Sequence, residues 1–275
     1  MNNPFINNLL TQVKSNKKYS SIADEIILQE INNYLNKNKI TKISKQDIKE
    51  IRNSLHKSYA SFQTRKKNKI SIYLNELRNN SNNKQIINRL LSTTLSTKER
   101  LDNYSDIYNQ IFKITGLPKT IIDLGCGLNP FSYPLMNLDS LNYYAYDINQ
   151  EDINNLNEYF KIMKTTGLNG KAAILDIRNL SKISSLPSSD IVFLFKVIDI
   201  IDKENHKPSE ELIVKLINEN KAKFIVASFA TATLTRKPMN NPHRKWLELM
   251  LNRNNLNFQT IKTENEIFYV ISETN

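Results

Sequence analysis

One segment, residues 121–130, constrains the fold of this chain more than any other. It reads Ile-Ile-Asp-Leu-Gly-Cys-Gly-Leu-Asn-Pro, an apolar run that ends in an acid and is followed by two glycines two residues apart. A buried parallel strand that turns tightly into a nucleotide-binding loop has this pattern, because Gly125 and Gly127 let the backbone turn and approach a ligand closely. The third glycine of a dinucleotide fingerprint is missing, since Asn129 and Pro130 follow, and the lysine of a Walker loop is missing too.

Strands and helices alternate after Gly116-Leu117-Pro118, a chain breaker that predicts a domain boundary. The strand candidates are residues 120–124, 143–146, 172–175, 191–195, 224–228 and 267–271, with helices at about 150–166, 208–220 and 240–254. A chain that alternates in this way forms a doubly wound parallel sheet. Residues 116–275 are therefore predicted to form a Rossmann-like α/β domain.

Residues 1–115 are predicted to form a separate domain of about five helices. Apolar residues recur there at helical spacing, Ser44-Lys45-Gln46-Asp47 has the form of a capping box, and no glycine precedes Gly116. Residues 1–119 hold 21 Lys and Arg against nine Asp and Glu, a net charge of +12, whereas the remainder has a net charge of −1. A lysine-rich proteome would have biased both parts alike, so the asymmetry favours a domain that docks on a polyanion over a merely solvated surface.

Composition argues against a membrane protein, a secreted protein and a cysteine-based metal site. No apolar stretch approaches the roughly 20 residues that cross a bilayer, and the first residues lack the pattern of a secretion signal. The single cysteine, Cys126, excludes an internal disulfide and a cysteine-based zinc site, which is typical of a reducing cytoplasm. We therefore expect a cytoplasmic protein with no metal and no membrane partner, for which a monomer suffices.

Two further acids narrow the choice of cofactor. Asp147 ends the second predicted strand, 24 residues after Asp123, where a carboxylate accepts hydrogen bonds from ribose hydroxyls. Asp176 ends the third strand, where an acid can bind an adenine amine. Acids at the ends of three successive strands favour S-adenosylmethionine over NAD or ATP. In that class of fold, the late strand at 267–271 is a candidate for the antiparallel insertion of methyltransferase sheets.

Missing motifs exclude several classes of methyl acceptor. A cytosine-C5 enzyme needs a cysteine nucleophile after the fourth or a later strand, whereas Cys126 follows the first. An exocyclic-amine enzyme usually carries Asn/Asp-Pro-Pro-aromatic after the fourth strand, where this chain has Phe-Lys-Val-Ile-Asp at 195–199. An acceptor that already carries a lone pair, such as guanine N7, loses no proton and needs no general base. Catalysis can then depend on positioning alone.

Several segments resemble the aminoglycoside-resistance 16S ribosomal RNA methyltransferases, the Arm/Rmt family. The loop Asp-Leu-Gly-Cys-Gly-Leu-Asn-Pro at 123–130 is similar to that family's cofactor loop, and Leu-Ser-Thr-Lys-Glu-Arg-Leu at 95–101 is similar to its Ser-Thr-Arg-Glu-Arg segment. Residues 190–196 and 226–231 are similar to its fourth strand and its Val-Ser-Phe-Pro-Thr segment. The resemblance covers about residues 45–275. The chain departs from it at Ala230, where proline is usual, and at 237–241, which border the expected target base.

The resemblance implies methylation of guanine N7 at position 1405 in the decoding site of 16S rRNA within the 30S subunit, and with it aminoglycoside resistance. Arg100 would pair with the methionine carboxylate of the cofactor, and Lys196, Ser228 and Phe229 would surround the flipped base. The full predicted set of cofactor-binding residues is Arg100, Asp123, Gly125, Gly127, Asn129, Asp147, Ile148, Asp176, Ile177 and Phe195.

The basic N-terminal part is predicted to dock on ribosomal RNA through phosphate contacts. The candidates are Lys14, Lys17, Lys18, Arg52, Lys57, Arg65, Lys66, Lys67, Lys69 and Arg236. Three alternatives stay open at this point. The enzyme could act on another rRNA or tRNA site during ribosome maturation, the protein could bind RNA without catalysis, or a small-molecule methyltransferase could use its helical part as a lid.

Overall fold

The computed structural model describes residues 4–39, 43–56, 65–81, 83–202, 206–219, 222–232, 239 and 242–274. Its helices are α1 (Pro4–Lys14), α2 (Asp24–Asn38), α3 (Lys45–Leu55), α4 (Ile70–Asn79), α5 (Lys84–Leu91), α6 (Leu95–Arg100), α7 (Tyr104–Thr115), α8 (Gln150–Met163), α9 (Leu180–Ile183), α10 (Ile198–Ile201), α11 (Lys207–Asn218) and α12 (Lys245–Arg253). Its strands are β1 (Thr120–Leu124), β2 (Leu141–Asp147), β3 (Leu168–Ile174), β4 (Ile191–Phe195), β5 (Phe224–Ala230), β6 (Leu256–Lys262) and β7 (Glu266–Glu273).

The strands form one sheet in the order β3-β2-β1-β4-β5-β7-β6. Strands β1 to β5 are parallel, and β7 is antiparallel to both β5 and β6. The chain order reverses between β1 and β4, and ligands bind beyond the carboxyl ends of the strands at such a reversal. The predicted doubly wound sheet is therefore confirmed, and the strand predicted at 267–271 is the antiparallel insertion.

Local sequence accounts for the main elements. β1 and β4 are continuous apolar runs because both faces of a central parallel strand are covered. The capping box that begins α3 is present, since Ser44 Oγ accepts a hydrogen bond from the Asp47 backbone at 3.2 Å and Asp47 accepts one from the Ser44 backbone at 2.7 Å. Asn149 caps α8 with a single bond, its side chain accepting from the Asp152 backbone at 3.1 Å.

The hydrophobic cores do not divide at Gly116. Helices α4, α5 and α7 share one continuous core with one face of the sheet, while a second core covers the other face. Only α1, α2 and α3 have a core of their own, which residues 148 and 174 of the α/β part also contact. The separate helical unit is therefore smaller than the predicted domain of residues 1–115, and the described part of that region contains seven helices instead of five.

This small helical unit, α1 to α3, is joined to the loop that follows β2. The Ala23 backbone donates to the Ile148 carbonyl at 3.0 Å, and the Gln150 backbone donates to the Ser21 carbonyl at 2.8 Å. The Asn149 side chain adds a bond to Ser21 Oγ at 3.2 Å. The segment before α2 thus fixes the position of the chain immediately after Asp147. Among the described helices, none has both the length and the apolar character that crossing a membrane requires.

Candidate active site

A cleft opens beyond the carboxyl ends of β1 to β4, at the reversal of strand order. It encloses about 1150 Å³ of space, part of which is open to solvent. Loops that follow the four strands line it at residues 125–129, 147–149, 175–178 and 195–197. The helical part contributes further lining residues, which are Ile22, Lys67, Thr94, Ser96, Thr97 and Arg100. The cofactor residues predicted from the sequence therefore come together here, with one exception described below.

The two loop glycines meet different requirements. Gly125 has a φ of +66°, and a Cβ atom there would lie 2.5 Å from Val197 Cγ1. Gly127 has a φ of +49°, and a Cβ atom there would meet no atom within 4 Å. Both are left-handed conformations that favour glycine. Gly125 thus brings the loop against Val197, while Gly127 leaves bare backbone on the wall of the cleft, as a nucleoside cradle requires.

The carboxylate of Asp147 connects two of these loops, those that follow β1 and β2. Its Oδ2 accepts a hydrogen bond from the Gly127 backbone at 2.9 Å, and its Oδ1 accepts from Ile148 at 2.7 Å and Asn149 at 3.0 Å. Each carboxylate oxygen has two lone pairs, so the group can still accept from a ligand hydroxyl. The side chain therefore retains acceptor capacity at the wall of the cleft.

Asp176 is held by the residue two positions further along the chain. Its oxygens accept from the Arg178 guanidinium, with Nη2 at 2.7 Å from Oδ2, and from the Arg178 backbone at 3.0 Å. Arg178 Nη2 also lies 3.9 Å from Glu30 on α2. Asp176 is nearly buried and lines the cleft next to Ile177. Its orientation is thus fixed by Arg178, which lines the cleft beside it.

Asp123 is the exception, because it lies beneath the glycine loop and not among the residues that line the cleft. Its Oδ2 accepts from the Tyr143 hydroxyl at 2.6 Å and from Asn129 Nδ2 at 2.9 Å, while Oδ1 has no partner among the described residues. Complete burial raises the pKa of Asp123 to about 6. Asp123, predicted to contact the cofactor, here holds the side chain of Asn129, which does line the cleft.

Arg100 is buried at one end of the cleft, with 4% of its surface exposed. Its Nε and Nη2 atoms bind the two carboxylate oxygens of Glu266 at 2.8 and 2.7 Å. The guanidinium lies over the Phe195 ring, 4.9 Å from its centroid. The Tyr104 hydroxyl interacts with Arg100 and donates to Asn129 Oδ1 at 3.0 Å. Arg100 thus belongs to a buried polar chain that runs under the floor of the cleft to the glycine loop.

Lys196 lines the same end of the cleft and has a φ of +57°, a conformation that few residues other than glycine adopt. Its backbone N–H donates to both the carbonyl and the hydroxyl oxygen of Ser228, each at 3.1 Å. Its ammonium lies 2.8 Å from Glu99 and 3.5 Å from Glu266. The positive φ of this non-glycine residue suggests a functional role, because backbone strain of this kind concentrates at active sites.

Ser228 and Phe229, predicted to surround the base, are both placed away from the lining of the cleft. Ser228 is fully buried and donates its hydroxyl to Glu266. Successive residues of a strand face opposite sides of the sheet, so Phe229 points away from Ser228. Phe229 is also fully buried and packs edge-on against Trp246 and Tyr269, with centroids 6.3 and 5.9 Å apart. Neither side chain is among the residues that line the cleft.

The predicted RNA-binding cations fall into three groups. Lys17, Lys18 and Lys69 are exposed, and Lys14 is partly buried in an ion pair with Asp24. Arg52 donates to the Val13 carbonyl at 3.3 Å and to the Gln12 carbonyl at 2.5 Å, so it holds the end of α1. Of the others, the structure gives only backbone positions for Arg65 and Lys66, and Lys57 and Arg236 lie outside the described residues.

Lys67, predicted to bind RNA, lies in the cleft, where its ammonium binds both oxygens of Asp152 at 2.8 and 2.6 Å. The two side chains are 11% and 5% exposed. Burial raises the pKa of Asp152 to about 6, although Lys67 acts in the opposite direction. Lys67 is therefore part of the cleft wall and not a surface cation. The described residues contain no cluster of His, Cys, Asp and Glu that could hold a metal ion.

Sequence reasoning missed Glu266, Asp152 and Tyr104. Glu266 begins an apolar strand, where an acid has the form of an ordinary turn residue. Asp152 is in the first turn of α8, a common position for an acid because of the helix dipole. Tyr104 belongs to the buried face of α7. Local sequence gives little signal for the three, because Glu266, Asp152 and Tyr104 each bind a partner far along the chain, 166, 85 and 25 residues away.

Taken together, a doubly wound sheet with an antiparallel β7, a glycine loop after β1 and carboxylates after β2 and β3 define a class I methyltransferase that uses S-adenosylmethionine. The model of the family described as "Ribosomal RNA methyltransferase (FmrO)" matches residues 15–270, and the chain belongs to this family. The resemblance, the fold and the cofactor predicted from the sequence are thereby confirmed.

Individual proteins agree with this assignment. A "16S rRNA (guanine(1405)-N(7))-methyltransferase" of Proteus mirabilis is 27% identical over 248 residues, which cover 83% of this chain and 84% of the relative. A protein of the same name from Micromonospora echinospora is 27% identical over 190 residues, which cover 68% of this chain and 66% of the relative. The fold is similar to that of the 16S rRNA methyltransferase RmtF in complex with S-adenosyl-L-homocysteine, with a TM-score of 0.79, 20% identity and full coverage of both chains. The 16S rRNA methylase RmtB superposes with a TM-score of 0.71 at 19% identity over 98% of each chain.

Proposed function

We propose that this enzyme methylates N7 of guanine 1405 in the decoding site of 16S rRNA, on the 30S subunit, and so confers aminoglycoside resistance. One observation carries the proposal: the segments that resemble the Arm/Rmt family, around Arg100, Gly125 and Lys196, lie together around a single cleft. The name of the Proteus mirabilis relative specifies the same base and the same atom.

The residues of the cleft suit the cofactor. Gly127 provides a wall without a side chain, Asp147 accepts from ribose hydroxyls, and Asp176 accepts from the adenine amine. Arg100 would bind the methionine carboxylate with the guanidinium edge that Glu266 does not occupy. When bound, S-adenosylmethionine supplies an electrophilic methyl group on a sulfonium. The chain's task is then to hold the acceptor atom in line with that group.

Guanine N7 makes this task one of positioning. Its lone pair is available at neutral pH, so methyl transfer requires no proton acceptor on the protein. The base must leave its stack in folded RNA to enter the cleft. Lys196 lies at the end of the cleft near Arg100, and a lysine ammonium is a suitable donor to the O6 edge of guanine. Since Phe229 is in the core, Phe195 is the aromatic ring that faces this end of the cleft among the residues the structure describes.

The exposed cations of the helical part would hold the ribosomal RNA. Lys17 and Lys18 lie beyond the end of α1, and Lys69 precedes α4. We infer that they contact phosphates, so binding to 30S subunits should weaken steeply as salt increases.

The direct test is to incubate the protein with 30S subunits and S-adenosylmethionine and to map modified nucleosides in 16S rRNA by mass spectrometry. We expect one 7-methylguanosine, at position 1405, and its loss in Lys196→Met. The control Lys161→Met removes an exposed lysine on α8, whose side chain is 72% exposed, and should retain activity. A methyl group at another rRNA or tRNA position would refute the assigned target and favour a role in ribosome maturation. Expression in a susceptible bacterium should raise the inhibitory concentration of aminoglycosides only when position 1405 is methylated.

A further inference from the structure

The carboxylate of Glu266 is the point at which the polar groups at one end of the cleft meet. It accepts two hydrogen bonds from Arg100, at 2.8 and 2.7 Å, and one from the Ser228 hydroxyl. The Lys196 ammonium lies 3.5 Å away. Glu266 is 2% exposed and Arg100 is 4% exposed, so these bonds form in surroundings that contain little water.

The charges in this cluster constrain one another. Arg100 and Lys196 are two cations close together in a region of low dielectric, where their repulsion is strong. The carboxylate between them offsets that repulsion. Burial alone would raise the pKa of Glu266, but the charge and hydrogen bonds of Arg100 hold it below its ordinary value, so the group is ionised at neutral pH. A buried pair of this kind is held in one geometry, because either partner alone would be an uncompensated buried charge.

The geometry of the pair determines what Arg100 can still bind. A guanidinium can meet a carboxylate along its Nε–Nη2 edge or along its Nη1–Nη2 edge. Glu266 occupies the Nε–Nη2 edge. The Tyr104 hydroxyl also bonds to Arg100, and Arg100 lines the cleft, so the N–H groups that remain on the other edge are those with which it can bind a second carboxylate. The Phe195 ring beneath the guanidinium further restricts its rotation.

We propose that Glu266 is a positioning residue for the cofactor, which fixes Arg100 so that its second edge is presented to the methionine carboxylate before the cofactor arrives. This rests on the proposed role of Arg100. Preorganisation of this kind increases affinity, because the side chain loses less freedom on binding. Glu266 itself is not among the residues that line the cleft and would act through Arg100.

The test compares two ligands by calorimetry on the full chain. S-Adenosylhomocysteine carries the amino-acid carboxylate, whereas 5′-methylthioadenosine shares its adenosine and lacks that carboxylate. In Glu266→Gln, which keeps the shape and removes the charge, the Kd of S-adenosylhomocysteine should rise about tenfold or more, as expected when a charge-assisted carboxylate contact is lost. The Kd of 5′-methylthioadenosine should stay within about twofold. A defect of folding or of the nucleoside site would weaken both ligands alike.

Two further variants complete the design. Glu99→Gln removes the other carboxylate partner of Lys196 and leaves the Arg100–Glu266 pair intact, so it should change neither Kd. Arg100→Gln should abolish the preference for S-adenosylhomocysteine. If Arg100→Gln does so and Glu266→Gln weakens both ligands equally or neither, the positioning role of Glu266 is overturned while the role of Arg100 stands. If Arg100→Gln keeps the preference, the proposed role of Arg100 is itself wrong, and that of Glu266 fails with it.

Discussion

Replacing Lys67 with methionine separates a structural role from an RNA-binding role. The Lys67–Asp152 pair is nearly buried in the cleft wall, and removal of one partner from such a pair costs about 3–5 kcal/mol because the other charge stays unpaired. The free energy of unfolding of Lys67→Met should therefore fall by about that amount at pH 8. The neighbouring Lys69 is exposed, so Lys69→Met should change it by no more than about 0.5 kcal/mol. Urea denaturation followed by the fluorescence of the single tryptophan, Trp246, measures both.

The pH dependence of this loss follows from Asp152. Burial raises its pKa from 3.8 to about 6, so the folded state binds the proton more tightly than the unfolded state and stability falls as pH rises through about 4 to 6. Without Lys67 that pKa rises further, because the lysine had lowered it. The destabilisation should thus be largest at pH 8 and shrink towards pH 5, and Lys67→Met/Asp152→Asn should recover most of it. If Lys67→Met instead keeps its stability and loses affinity for 30S subunits, Lys67 is a phosphate contact and the structural argument is wrong.

Three other outcomes follow from single positions. Gly125→Ala should lower affinity for S-adenosylhomocysteine at least about tenfold, since its Cβ would lie 2.5 Å from a valine side chain. Gly116→Ala, also at a positive φ but with no atom within 4 Å of its Cβ, should affect stability alone. Equal affinities of the two variants in calorimetry would contradict this. Phe229→Leu should lower the free energy of unfolding by about 1–2 kcal/mol and leave the Kd for 30S subunits within about twofold. A loss of methyl transfer without a loss of stability would show instead that Phe229 acts in the active site. Replacing Lys17 and Lys18 together with glutamine should reduce the slope of log K against log salt by about 1.5, and an unchanged slope would exclude them as phosphate contacts.

The sequence predicts best the strands that are buried on both faces. β1 and β4 agree with prediction to the residue, because central parallel strands are continuous apolar runs between turn residues. β6 was missed, since it is an edge strand in which buried and exposed residues mix as Leu-Asn-Phe-Gln-Thr-Ile-Lys. The hydrophobic cores do not divide at Gly116, the predicted boundary, because the apolar faces of α4, α5 and α7 pack on the sheet. Periodicity identifies an apolar face but not the element on which that face packs.

The residues of the site also differ in how well the sequence predicts them. Gly125, Gly127, Asp147 and Asp176 are predictable because each follows a strand directly, and parallel strands bring their carboxyl ends together. The sequence does not show which of Ser228 and Phe229 faces the cleft. Neighbours on a strand point to opposite sides of the sheet, and the sequence does not specify which side holds the cleft.

The cations of the helical part show the limit most clearly. Lys66, Lys67 and Lys69 belong to one basic run, yet Lys67 is buried against an aspartate 85 residues further along the chain while Lys69 is exposed. Long-range ion pairs of this kind have no local signature, so a count of charges overestimates the surface that is available to RNA.

The central claim is that this cleft transfers a methyl group to N7 of guanine 1405. Its most direct measurement is a time course with S-adenosylmethionine labelled in the methyl group and purified 30S subunits, in which the label at each nucleoside of 16S rRNA is quantified. We predict that label accumulates at N7 of position 1405 and approaches one methyl group per subunit. Label at any other nucleoside, or none at all from a folded protein that binds S-adenosylhomocysteine, would contradict the account.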